Sequence, residues 1–81
     1  MAKPSVKYAG NPALVSLGKT IRSLRADRKI SQEALAHGAS LDRSYMGGIE
    51  RGEHNITILN LTKIAVQLNL KMSELFEKSG L

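Results

Sequence analysis

The sequence predicts an all-α protein, a bundle of five short helices. Three observations carry this. Apolar residues recur at helical spacing in separate segments, and no segment has the apolar–polar alternation of a half-buried strand. Ser31, Asp42 and Thr57, all good N-caps, stand where three of these segments begin. Of the 81 residues 42% are apolar, but only 4% are aromatic and Trp is absent, so one modest core must be built from Leu, Ile, Val, Ala and Met.

The elements follow in order. Residues 1–11 contain Pro4 and Gly10, lack helical periodicity and read as a flexible basic arm, with residues 12–81 as the folded domain. The first helix starts at Asn11 with Pro12 in its first turn, where proline is tolerated. Leu14, Leu17, Gly18, Ile21 and Leu24 form its core stripe. Arg22, Arg28 and Lys29 fall outside the stripe and read as solvated; Arg25 stands at its edge. Asp27–Ser31 is a short connection, with Ile30 returning to the core.

The second helix spans Ser31–Gly38, with Leu35 and Ala36 facing inward. A turn at Gly38–Leu41 leads to the third helix, which runs from Asp42 to Arg51 and stops before Gly52. At about 100° per residue, with Arg43 at zero, Met46, Ile49 and Tyr45 fall at about 200–300° and form the buried side. Arg43, Ser44, Gly47, Gly48 and Arg51 share the opposite side, which carries no large apolar group and reads as polar, cationic and unobstructed. Such a face suits the major groove of duplex DNA. Gly52–Ile56 is a polar loop. The fourth helix follows Thr57 with the stripe Ile58, Leu61, Ile64, Ala65 and Leu68. Leu68–Met72 is a connection, and the fifth helix covers Ser73–Lys78 with Leu75 and Phe76 apolar.

Charge is unevenly placed along the chain. Of the net +5, residues 1–29 hold +6 and the remainder −1, which points to a polyanionic partner. There is no Cys, hence no disulfide, thiolate metal site or cysteine nucleophile. His37 and His54 lack metal-site spacing, and no cofactor is expected. No apolar run approaches the roughly 18 residues of a membrane span, and the first ten residues lack the apolar segment of a secretory signal. A cytoplasmic location without membrane contact is the expectation. No nucleophile–base pair, carboxylate pair or phosphate loop is recognisable, so an enzyme is not expected. A basic RNA-binding module would need exposed aromatics for stacking, which are scarce here.

The segment Gln32–Arg51, QEALAHGASLDRSYMGGIER, with the following GEHN, resembles the helix-turn-helix of the lambda-repressor-like (Cro/cI, Xre) DNA-binding proteins, most narrowly the controller proteins of restriction-modification systems. The likeness covers about residues 17–78. It departs at Ser40, where the motif normally has Gly; a left-handed Ser40 costs on the order of 1 kcal/mol. The resemblance implies a five-helix lambda-repressor-like fold and a homodimer that binds a palindromic double-stranded operator and regulates transcription, with RNA polymerase as a further partner. It also implies roles. Arg43 and Ser44 would read base edges, Tyr45 would reach phosphate or sense groove shape, and Gly47 and Gly48 would let backbone or Arg43 approach DNA. Gln32, Arg51, His54 and Asn55 would contact phosphates. Arg25 and Glu50 would form an ion pair, and Leu70, Leu75 and Phe76 would form the dimer seam. Lys3, Lys7 and Tyr8 are the arm's candidates for phosphate or minor-groove contact, against the plainer reading of an untethered terminus. The alternative is an antitoxin-type protein-interaction module with secondary DNA binding.

Overall fold

The computed structural model describes residues 8–81 as five helices: α1 Pro12–Asp27, α2 Gln32–Gly38, α3 Arg43–Glu50, α4 Ile58–Gln67 and α5 Met72–Lys78. No strand occurs among the described residues. Lys3 and Lys7 lie outside them. Tyr8–Gly10 forms a turn tied to the body of the domain, because the Gly10 amide donates to the Gly52 carbonyl at 3.1 Å.

Four helices open on a side-chain cap. The side chains of Asn11, Ser31, Asp42 and Thr57 accept from the amides of Ala13, Ala34, Tyr45 and Asn60. Each such cap contributes about 1 kcal/mol. Helix α5 opens differently. It begins at Met72 rather than Ser73, and the Glu74 carboxylate turns back to accept from the Lys71 amide at 2.9 Å.

All five helices end on the same device. A left-handed residue follows each C-cap: Lys29, Ser40, Gly52, Asn69 and Gly80, with φ between 55° and 75°. The next residue's amide then reaches back five positions: Ile30 to Arg25, Leu41 to Ala36, Glu53 to Gly48, Leu70 to Ala65 and Leu81 to Phe76. These are Schellman stops, which satisfy helix carbonyls otherwise left without donors. Ser40 is left-handed as its place in the turn required, with φ 56°. The amide bonds and the burial of Ala39 outweigh a penalty of about 1 kcal/mol.

The core contains Leu17 and Ile21 of α1, Leu35 and Ala36 of α2, Met46 and Ile49 of α3, Leu61, Ile64 and Ala65 of α4, Leu68 just past α4, and Leu75 of α5. Gly18 permits the closest crossing. A β-carbon there would overlap the carbonyls of Ile49 and Glu50, so α1 lies against the backbone at the end of α3. Two expectations need correction. Ile58 is 65% exposed, because it stands in the first turn of α4, beyond the end of the core. Leu75 is 0% exposed and belongs to the monomer's own core, so it offers no surface to a second copy. Leu70 and Phe76 are half-buried against that core.

Candidate nucleic-acid interface

Helix α3 is held at one end and open at the other. At its C-terminal end Glu50 is buried, and three donors reach its carboxylate. Arg25 Nε donates to Oε2 at 2.8 Å, Arg25 Nη2 to Oε1 at 3.1 Å, and Gln32 Nε2 to Oε1 at 3.1 Å. Arg25 Nη1 also donates to the Ile30 carbonyl at 3.0 Å. One side chain of α1 thus binds α3 and the connection before α2. The hydrogen bond to Glu50 raises the Arg25 pKa above its ordinary value, against the lowering effect of burial. The ion pair expected from the resemblance is therefore present in the fold. Gln32 is its third member, and that amide donates inward to Glu50.

At the N-terminal end Arg43 is exposed and Ser44 half-exposed. Neither side chain has a hydrogen-bond or ionic partner among the described residues. Tyr45 is half-buried. Its hydroxyl accepts from Asn60 Nδ2 at 3.4 Å, and its ring lies 4.8 Å from that of His54, tilted by 46°.

The glycines of α3 are not the open floor that the helical wheel predicts. Gly47 and Gly48 are both buried. A β-carbon on Gly47 would come within 3.1 Å of Arg51 Nη1 and 3.4 Å of Gln32 Oε1. One on Gly48 would overlap His54 Nε2. These positions are filled by side chains folding back from other elements. The His54 Nε2 is buried against Gly48 without a hydrogen-bond partner among the described residues. Asn55, the next residue, is exposed.

Arg51 carries a partner that the sequence reading missed. Its guanidinium grips Glu53 with both arms, Nε to Oε2 at 2.9 Å and Nη2 to Oε1 at 3.1 Å. The bond to Arg51 lowers the Glu53 pKa and raises that of Arg51. The signal in the sequence was the apolar position of a Schellman stop. Ile30, Leu41, Leu70 and Leu81 fill it elsewhere, and a carboxylate fills it here.

Among the described residues no cluster of His, Cys, Asp or Glu has the makings of a metal site, and no helix is long and apolar enough to cross a membrane. Exposed apolar side chains collect on α4, where Ile58, Leu59 and Val66 are 65%, 75% and 64% exposed.

A family model described as helix-turn-helix matches residues 21–75. Control protein C.MunI from Mycoplasma sp. is 37% identical over 67 residues, which are 82% of this chain and 90% of that protein. Control protein C.SmaI from Serratia marcescens is 38% identical, over 80% of this chain and 77% of that protein. The crystal structure of the restriction-modification controller protein C.AhdI from Aeromonas hydrophila superposes with a TM-score of 0.74 at 45% identity, covering 76% of this chain and 94% of that one. The held C-terminus of α3, its open N-terminus and these likenesses agree: the chain belongs to the helix-turn-helix family, among the restriction-modification control proteins.

Proposed function

We propose that this chain is a homodimeric transcriptional regulator that binds a palindromic duplex operator and acts as a restriction-modification controller. The observation that carries the reading is the polarity of α3. Its C-terminal end is fixed by Arg25, Glu50 and Gln32, while Arg43 and Ser44 at the other end have no side-chain partner among the described residues. An arginine so placed can meet guanine O6 and N7 bidentately in the major groove. Ser44 reads the adjacent base edge, and Tyr45, steadied by Asn60 and His54, lies beside them. Arg51, Asn55 and Gln32, which retains one N–H after donating to Glu50, are the phosphate contacts.

Two copies are needed. The described domain measures 30 × 27 × 21 Å, whereas successive major grooves on one DNA face are about 34 Å apart. The apolar face of α4, with Ile58, Leu59 and Val66, is the seam, and Leu70 and Phe76 keep enough surface to join it. RNA polymerase is the further partner of a regulator seated at a promoter.

Footprinting on the DNA upstream of the protein's own gene tests this. The expected result is a protected site with two-fold symmetry and half-sites one helical turn apart. Equal protection of unrelated DNA would sink the reading.

A further inference from the structure

Asn60 is the third residue of α4. Its main-chain amide is taken by the Thr57 cap at 3.1 Å, which leaves the side chain free of any duty at the helix start. That side chain crosses to α3, where Nδ2 donates to the Tyr45 hydroxyl at 3.4 Å. Among the described residues no other hydrogen bond or ion pair joins α3 to α4. The phenol oxygen that accepts from Asn60 keeps its own proton, and that proton has no acceptor among the described residues. Tyr45 is thereby set as a donor toward something outside the chain. The two residues before Asn60 are Ile58 and Leu59, the exposed apolar end of the seam proposed above. At 3.4 Å the bond is longer than the usual range of about 2.7–3.2 Å, so a small shift of α4 closes it or breaks it.

We infer that Asn60 is a positioning residue that ties the α4 seam to α3. Pairing of two copies through Ile58 and Leu59 sets the Asn60 amide on the Tyr45 hydroxyl, and the hydroxyl proton is then held ready for an acceptor on the duplex. The inference rests on the operator-binding dimer proposed above and adds the route by which assembly reaches the DNA-facing end of α3. A hydroxyl that accepts a hydrogen bond is also the better donor, because bonds in a chain polarise one another. The partner it suits is a hydrogen-bond acceptor, supplied by a phosphate oxygen or by a base edge in the major groove.

The experiment is a double-mutant cycle on operator and random duplexes with Asn60→Ala, Tyr45→Phe and the two combined. The Thr57 cap uses the main chain, so Asn60→Ala keeps the start of α4. Expected is a loss of about threefold to tenfold per half-site on the operator for each single variant, with no further loss in the double variant. A loss confined to the operator supports the inference with a base edge as acceptor, and an equal loss on random duplex supports it with a phosphate. Losses that multiply in the double variant, or no loss in either single variant on an operator that wild type binds, overturn the assignment and leave the DNA-binding reading standing. The link to the seam is read without DNA, by NMR across a dilution series that takes the dimer to monomer. The Tyr45 ring resonances should move with dissociation in wild type and stay fixed in Asn60→Ala. Movement in both proteins, or in neither, overturns the coupling. If wild type binds no duplex, the DNA-binding reading fails, and the dilution series alone decides for or against the Asn60 link.

Discussion

Arg25 and Glu50 face each other across the contact between α1 and α3 in a two-armed pair, with N–O distances of 2.8 and 3.1 Å. The Glu50 side chain is 3% exposed and that of Arg25 16%. Removing either partner strands a charge, which costs about 3–5 kcal/mol for a buried pair, and the partial exposure of Arg25 favours the lower end. A loss of that size should lower Tm by at least about 12 °C in a domain of this length. Calorimetry on Glu50→Ala and Arg25→Ala checks it. Unchanged unfolding in both variants would show that the pair holds nothing together.

Arg51 and Glu53 allow a second test, one of function and pH. In the proposed docking Arg51 meets a phosphate, and a carboxylate held in both arms of its guanidinium stands where that phosphate would bind, so DNA would have to displace Glu53. Glu53→Gln should therefore tighten operator and random duplex alike, and Arg51→Ala should weaken both. The sign of the pH effect follows from the lowered Glu53 pKa. The pair is intact above the ordinary carboxylate range and is lost as pH falls through the lowered value. An NMR titration of the Glu53 carboxyl should show its midpoint rise toward normal in Arg51→Ala. A midpoint identical in both proteins would mean that the pair does not form in solution.

In the proposed docking, base reading falls to Arg43. Arg43→Ala should cost about 1–3 kcal/mol on the operator and relax preference at one base pair in each half-site. On random duplex the loss should be smaller. Competition among single-base operator variants decides it. A mutant that keeps the wild-type ranking and loses affinity equally everywhere would make Arg43 a phosphate contact.

The seam on α4 can be tested without endangering the fold. Leu59 and Val66 are both exposed, so a charge at either should change monomer stability by less than about 0.5 kcal/mol. Sedimentation of wild type should give a dimer at micromolar concentration, and Leu59→Glu or Val66→Glu a monomer. Dimers that survive both substitutions would place the seam elsewhere.

Gly48 and His54 give a prediction in which two terms compete. Alanine in place of a helical glycine gains about 0.8–1.0 kcal/mol. Here its methyl group would evict the His54 ring from α3. Eviction frees a buried, unpartnered Nε2 to meet water, so Gly48→Ala should shift stability by less than about 1 kcal/mol. The visible change should be in the ring resonances of His54 and Tyr45, which now lie 4.8 Å apart. Unaltered resonances would mean that the ring does not sit there.

The five helices were legible because three caps and the stop at Gly52 stand in the sequence close to where periodicity needs them. Ser31, Asp42 and Thr57 mark starts, and the stripe Leu61, Ile64, Ala65 and Leu68 is buried as spaced. What stayed hidden depended on neighbours from elsewhere in the chain. A helical wheel gives the direction of Gly47 and Gly48 but not that Gln32, Arg51 and His54 fold over them. Spacing put Ile58 in line with Leu61, yet the buried stripe of α4 begins only one turn later, at Leu61. Leu75 and Phe76 are adjacent apolar residues, and only the packing of α5 decides that Leu75 turns inward and Phe76 keeps some surface. Lys29 and Asn69 adopt left-handed backbone without being glycine, so composition did not mark them as stops.

Arg43 and Ser44 have no side-chain partner among the described residues, whereas Glu50, Gln32 and Gly18 join α1, α2 and α3. Mutational drift can therefore try new side chains at the two open positions and leave the scaffold intact. If Arg43 and Ser44 read bases as proposed, a lineage built on this chain can migrate from one operator to another by changes at positions 43 and 44, while a variant at position 50 gives up stability without sampling a new sequence. Partner switching and folding are thus assigned to separate residues of one eight-residue helix.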